Sequence, residues 1–242
     1  MVCVMSEDIF TIVANGAKKL DINLPPTAEA AFRAYYEFLT ERGQVINLTA
    51  ISGMQEIAQL HFLDSIAILK SIDYKNKRII DIGSGAGFPG VPVKIVEPSV
   101  DLTLLEATGK KTKFLSELCG VLNIDATCIN ARAEDAATRT DRREQYDIAV
   151  SRAVARLNIL CELCLPFVKT GGTFISMKSV DSTDEATEAQ NAINTLGAVI
   201  QGHHDYTIPG TDITHRAILL RKIAQTPDKY PRRFARIQKK PL

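Results

Sequence analysis

Tryptophan is absent from this chain of 242 residues, and aromatic side chains make up only 6% of it. A surface built to stack many unpaired bases is not expected from that composition. No apolar run approaches the roughly 18 residues that a membrane-spanning helix needs, so no membrane span is expected. The opening stretch Met1-Val2-Cys3-Val4-Met5-Ser6-Glu7-Asp8 has no basic segment and turns acidic at once, unlike a secretory leader. The five cysteines, at positions 3, 119, 128, 161 and 164, follow no disulfide framework. An intracellular, reducing, cytoplasmic setting fits them. Internal repeats and low-complexity segments are missing as well. What is present is 45% hydrophobic and 24% charged, the make-up of a globular chain long enough for one large domain, or for one domain with a small appendage.

Charge of one sign is nearly balanced, at a net +1, but it is unevenly spread. Residues 221–242 hold eight basic side chains, Arg221, Lys222, Lys229, Arg232, Arg233, Arg236, Lys239 and Lys240, against Asp228 alone. That segment carries +7 and leaves −6 for residues 1–220. A basic tail on a mildly acidic body points to a polyanionic partner, or to a solvated tail that aids solubility.

The first third of the chain reads as helical. Ser6 is placed to cap a helix carrying Ile9, Val13 and Leu20 on one face. Pro25-Pro26 interrupts it. Thr27 opens a second helix with Phe32, Tyr35, Tyr36 and Leu39 at helical spacing, and Gly43 is its expected stop. Ser52-x-x-Gln55 resembles a capping box for a third helix through His61 to about Leu69. From Arg78 the rhythm changes to strand–helix alternation. Strands are expected at 78–82, 101–105, 126–129, 146–151 and 173–178, with helices at 90–96, 108–122, 133–139, 156–165 and 182–196. This alternation predicts a parallel sheet covered on both faces. Two last strands, near 198–206 and 215–222, leave no room for a helix between them and are expected to pair antiparallel. The expected division is a helical extension at 1–72, an α/β domain at 73–224 and a basic tail at 225–242.

The most informative segment is Ile79-Ile80-Asp81-Ile82-Gly83-Ser84-Gly85-Ala86-Gly87-Phe88-Pro89-Gly90. An apolar strand, a glycine turn and a helix start make a nucleotide pocket. A dinucleotide fingerprint requires a third glycine where Phe88 stands. The pattern Asp-x-Gly-x-Gly-x-Gly is instead similar to motif I of S-adenosylmethionine (SAM) methyltransferases. An acid ending the next strand is expected to bind the ribose hydroxyls. Glu106 lies 19 residues past Gly87 and fills that place. Five parallel strands closed by a hairpin match the seven-stranded class I SAM-dependent methyltransferase sheet, a Rossmann-like α/β fold.

Over nearly its whole length the chain resembles the small-subunit ribosomal RNA methyltransferases G, also called glucose-inhibited division protein B. The resemblance is carried by Asn47-Leu48-Thr49, His61-Phe62-Leu63-Asp64-Ser65, the glycine segment, Arg132-Ala133-Glu134, Ser151-Arg152-Ala153 and the closing Tyr230-Pro231-Arg232-Arg233 and Lys239-Lys240-Pro241-Leu242. It implies SAM-dependent N7 methylation of one guanine in 16S rRNA, with rRNA or the small ribosomal subunit as partner. Phe234-Ala235-Arg236-Ile237-Gln238 departs from it, standing where a small Gly/Thr/Pro-rich stretch is common.

Residue roles follow. Asp81 bonds either the backbone of the glycine loop or the cofactor's amino group. Gly83, Gly85 and Gly87 let the cofactor approach. Phe88 walls the pocket, as the resemblance implies, or packs in the core. Ala133 and Glu134 are cofactor contacts by resemblance. Arg152, at the carboxyl edge of the sheet, holds the methionine carboxylate, an RNA phosphate or a neighbouring acid as a planar fork. His61 and Asp64 share a helix face and either meet RNA or clamp the helix to the core. Lys110, Lys111, Arg232, Arg233, Lys239 and Lys240 are candidate phosphate contacts.

Absences bear on the acceptor as well. Exocyclic-amine methyltransferases carry Asn/Asp-Pro-Pro-aromatic after the fourth strand, where this chain has Ser151-Arg152-Ala153-Val154. No Pro-Cys nucleophile occurs. Guanine N7 has a free lone pair, so no general base is required, although O-methylation passes the same test. Gly109-Lys110-Lys111-Thr112 imitates a phosphate loop but lacks its first glycine, Leu104 standing there. Cys161-x-x-Cys164 sits in an apolar helix and reads as buried thiols, and His203, His204 and His215 show no ligand spacing, so no metal is expected. A SAM methyltransferase acting on a small molecule, tRNA or protein, and a dinucleotide-binding redox module, are the competing readings. A monomer is expected.

Overall fold

Apolar residues that alternate along the central strands divide the interior into two layers, one on each face of a seven-stranded sheet. The computed structural model describes residues 8–46, 53–152, 155–180 and 183–242. Its strands are β1 (Arg78–Ile82), β2 (Asp101–Glu106), β3 (Ala126–Asn130), β4 (Tyr146–Arg152), β5 (Val168–Ser179), β6 (Ala198–Thr207) and β7 (Thr214–Lys222), in the order β3-β2-β1-β4-β5-β7-β6. The first five are parallel, β7 runs antiparallel to β5, and β6 pairs antiparallel with β7. Successive side chains on a strand point to opposite faces. Ile79, Leu104, Val150 and Leu219 accordingly enter one layer, and Ile80, Leu105, Ala149 and Leu220 the other. The sequence places all seven strands, although β5 begins earlier than expected, at Val168.

The first layer is covered by helix α1 (Ile9–Lys19), helix α2 (Ala28–Ile46) and a third helical run at 54–70, together with the helices Gly90–Val96 and Gly109–Val121. The second is covered by Leu157–Cys164 and Gln190–Thr195. Four local expectations change. Asp8 caps α1, its carboxylate accepting from Thr11 N–H at 2.9 Å, which satisfies a first-turn donor; Ser6 lies outside the described residues. α2 runs through Gly43 to Ile46. Gly53 occupies the start of the third run without a side-chain cap, and Ser52 and Asn47-Leu48-Thr49 lie outside the described residues. The expected helix at 182–196 is two short ones, Thr183–Glu188 and Gln190–Thr195.

The helical first third is continuous with the core rather than appended to it. Phe32, Tyr35 and Phe62 pack in one aromatic group, with ring centroids 5.0 to 5.1 Å apart for the Phe32–Phe62 and Tyr35–Phe62 pairs. Tyr35 also stacks on Phe88 at 5.3 Å and donates its hydroxyl to Ala86 O at 2.6 Å. A residue of α2 thus fixes the glycine segment from behind. Replacing Tyr35 by Phe leaves the buried Ala86 carbonyl without that donor, so urea unfolding of Tyr35→Phe is expected to show a stability loss of about 1–2 kcal/mol; an unchanged midpoint would show that the bond contributes nothing.

Candidate active site

Strand order reverses between β1 and β4, the point in open α/β sheets where a crevice opens at the carboxyl ends of the strands. The glycine segment crosses this point. Gly83, Gly85 and Gly87 have φ of 75°, 58° and 103°, values that cost other L-residues about 1–2 kcal/mol each. Two of them also answer to different neighbours. A Cβ on Gly85 would meet only Gly83 O at 3.8 Å, so that glycine faces open space. A Cβ on Gly87 would stand 2.7 Å from the Tyr35 hydroxyl and 2.9 Å from Val91 Cγ2. Gly85 therefore keeps a cavity clear, and Gly87 admits Tyr35.

Two carboxylates pin the bend. Glu106 Oε2 accepts from Gly85 N–H at 3.1 Å and Oε1 from Thr108 N–H at 2.8 Å. Asp81 Oδ2 accepts from Gly90 N–H at 2.9 Å. Asp81 is 0% exposed, and its Oδ1 has no hydrogen-bond partner among the described residues. Burial pushes its carboxyl up to about 7, against the opposing effect of the Gly90 N–H.

In front of the bend lies a cavity of about 330 Å³, of the size small-molecule sites have. Gly83, Gly85, Glu106, Ala133, Glu134 and Arg152 all line it, so six of the nine expected cofactor residues converge there. Asp81, Gly87 and Phe88 are not among its lining residues. Phe88 lies behind the loop instead, stacked between Tyr35 at 5.3 Å and His61 at 4.5 Å.

Arg152 ties this cavity to the helical third of the chain. Its Nη1 donates to Asp64 Oδ2 at 2.7 Å and to Leu60 O at 3.1 Å, and its Nη2 donates to His61 Nδ1 at 3.3 Å. The guanidinium lies 5.1 Å from the Phe88 ring centre. Asp64 is 1% exposed; its Oδ1 also accepts from the Tyr206 hydroxyl and bonds His215 Nδ1, each at 2.8 Å. Burial works to raise the Asp64 carboxyl, but the His215 hydrogen bond and the Arg152 charge outweigh it and hold it below the usual range. Burial, with the Arg152 charge beside it, depresses His61 to about 4, so the ring is neutral at physiological pH and accepts from the guanidinium. His61 and Asp64, expected either to meet RNA or to clamp the helix, are buried and committed to Arg152. Leu60 and His61 belong to a widened π-helical stretch, Ile57–Leu63, a geometry frequent at functional sites.

The chain matches the family model GidB: rRNA small subunit methyltransferase G over residues 28–209. It belongs to that family. It is 44% identical over 232 residues to Ribosomal RNA small subunit methyltransferase G of Acetivibrio thermocellus, covering 96% of each chain. It is 42% identical over 239 residues to the protein of that name from Clostridium kluyveri, covering 97% of this chain and 99% of that one. Members of the family are rRNA methyltransferases that use SAM, so the dinucleotide reading of the glycine turn falls away. Solved structures share the fold. M. jannaschii TYW2 in complex with AdoMet has a TM-score of 0.52 at 13% identity, covering 66% of this chain and 77% of that one. P. horikoshii TYW2 in complex with MeSAdo has 0.53 at 15%, covering 66% and 62%.

The candidate phosphate contacts divide by environment. Lys110, Arg233, Lys239 and Lys240 are exposed, and Lys111 is half-buried at the cavity. Arg232 is turned inward, its Nη2 2.6 Å from Glu162 Oε2. Lys222, counted with the basic tail, is buried on Glu144 at 2.9 Å. Ala153 lies outside the described residues. Cys161 and Cys164 are buried, and burial pushes both thiols up. Among the described residues no group of three or more His, Cys, Asp or Glu side chains is arranged to hold a metal ion. Sequence reading missed Tyr35, Tyr206 and Phe234 as members of the site. Only the departure of Phe234 from the family pattern signalled any of them.

Asp81 supplies a pH test. Near pH 4 and below, the carboxyl is protonated in folded and unfolded chains alike. Between there and about 7 only the folded chain keeps the proton, so stability falls as pH rises through that window and levels off above it. Asn mimics the protonated acid. Asp81→Asn is expected to melt several degrees above the wild type at about pH 8, with the difference vanishing towards about pH 4. A difference independent of pH would show that Asp81 does not titrate in this window.

Proposed function

We propose that this chain transfers the methyl group of SAM to N7 of one guanine in small-subunit rRNA, with the reaction centred on the cavity at the β1–β4 crevice. The observation that carries this reading is the joint between Glu106 and the glycine bend. Each Glu106 oxygen accepts one backbone N–H, from Gly85 or Thr108, and each keeps a lone pair for a ribose hydroxyl. Gly83 and Gly85 leave the adjoining wall without side chains. The residues present fit the cofactor on this ground. Glu106 would take the ribose, Ala133 and Glu134 the adenine edge, and Arg152 the methionine carboxylate, with Asp64, Leu60 and His61 holding its guanidinium. When bound, SAM supplies an electrophilic methyl group on a sulfonium.

The protein's part is alignment, which can supply much of such a rate. Guanine N7 attacks with a lone pair that carries no proton, so no side chain has to remove one. The cavity matches this economy: among the described residues neither histidine nor cysteine lines it, and His61 behind it is neutral and occupied. Asp81, with its unpaired oxygen and raised acidity range, lies behind the bend and supports its shape.

N7 faces the major groove, which in A-form RNA is too deep and narrow for side chains. The target guanine therefore lies in a loop or is extruded. Lys110, Arg233, Lys239 and Lys240 are exposed and suit phosphates. With aromatic residues at 6%, recognition rests on rRNA shape more than on stacking. We place the enzyme in the cytoplasm as a monomer acting on rRNA or the small subunit. No helix among the described residues is long and apolar enough to cross a membrane.

Labelled methyl transfer from SAM to small subunits and to naked 16S rRNA, followed by nucleoside analysis, is expected to yield 7-methylguanosine. A different methylated nucleoside, or transfer to neither substrate, would overturn the reading. In the same assay Arg152→Ala is expected to lose at least about tenfold in turnover while retaining its circular dichroism spectrum, as removal of a substrate-positioning group does. Wild-type rates from the folded variant would remove Arg152 from the site.

A further inference from the structure

The basic tail is docked, and one of its residues reaches the cavity at the β1–β4 crevice. After β7 the chain is tied down by Arg143, which donates to Thr226 O at 2.7 Å and Tyr230 O at 2.9 Å. Arg232 then closes a latch on the helix Leu157–Cys164. Its Nε and Nη2 reach both oxygens of Glu162 at 2.6 to 3.1 Å, and its own backbone N–H donates to Oε1 at 2.7 Å. Glu162 is 0% exposed, so its charge is held almost entirely by this one residue of the tail. The short helix Phe234–Lys239 follows, with Ile237 sunk in the second apolar layer.

Phe234 lies three residues before Ile237 and therefore on the same face of that helix. It is half-buried and packs against the same layer. It also lines the cavity of about 330 Å³, where it is the only aromatic side chain among the described lining residues. Leu163, next to the latch residue Glu162, lines the cavity too. One helix thus both holds the tail and walls the site. Past Glu106, which would take the ribose, the cavity is bounded by Ala107, Lys111, Ala131, Arg132, Ala133 and Glu134, none of which offers an aromatic face. Phe234 supplies one.

We propose that Phe234 is a cofactor-binding residue that packs its ring on the adenine of SAM, and that the tail, latched by Arg232 on Glu162, is thereby a wall of the cofactor site. This rests on the reading that SAM occupies this cavity. A ring on a purine face is worth roughly tenfold or more in affinity. The tail serves two ends at once: Arg232 and Phe234 face inward, while Arg233, Lys239 and Lys240 on the same segment stay exposed for phosphates.

The test is calorimetric titration of the full chain with SAM and with 5′-methylthioadenosine, which keeps the nucleoside and lacks the amino-acid part. Phe234→Ala, at a half-exposed site, is expected to weaken both ligands by a similar factor of about ten, and Phe234→Tyr to restore both. Phe234→Ala binding SAM as the wild type does would overturn the proposal alone. A loss for SAM without a loss for 5′-methylthioadenosine would overturn the adenine assignment. A wild-type chain that binds neither would bring down the cavity reading, and this inference with it.

Discussion

The site depends on one constraint: a backbone turn built on three positive-φ glycines must be held still mainly by groups outside it. The protein meets it with groups from three other places. Glu106 on β2 takes the Gly85 N–H, Asp81 on β1 takes the Gly90 N–H, and Tyr35 on α2 donates to Ala86 O. Each bond is individually modest, worth about 1 kcal/mol when both partners are neutral and more with a carboxylate. Together they convert a permissive segment into a fixed wall, and they leave its outer surface bare for a ligand.

A second constraint follows from placing a cation at that wall. Arg152 needs a counter-charge if it is not to swing, and the counter-charge has to be buried to be selective. Asp64 supplies it, and its remaining acceptor capacity is filled by Tyr206 and His215 on the closing hairpin. A carboxylate left unpaired there would cost several kcal/mol. Its full complement of donors therefore joins the third helical run, the sheet and the hairpin around one atom group. The family-bearing segment His61-Phe62-Leu63-Asp64-Ser65 acquires a physical meaning from this arrangement: it orients the arginine.

The tail shows why charge counts mislead. Residues 221–242 carry +7 on paper, yet Lys222 and Arg232 spend their charge on Glu144 and Glu162 inside the fold. The cations left for a polyanion are fewer, and they stand on a segment whose inner face closes the cavity. The exposed cations Arg233, Lys239 and Lys240 and the cavity-lining Phe234 are thus near neighbours on one docked strap.

What the amino-acid sequence determined by itself was whatever depends on neighbours along the chain. Short apolar runs in a strand–helix rhythm placed every strand, helical spacing placed the long helices, and the glycine turn and Glu106 marked the cavity through a local turn and a fixed offset. Helix ends were less legible, because Gly43 is carried through a helix held by packing, and Asp8 caps where Ser6 was expected. Only the tertiary structure decided the rest. Asp64 meets Tyr206 and His215 across 142 and 151 residues, Arg232 meets Glu162 across 70, and Phe88 turns behind the loop because Tyr35 and His61 sandwich it. Pairings at such separations are set by burial of charge and by shape in three dimensions, and no local pattern encodes them.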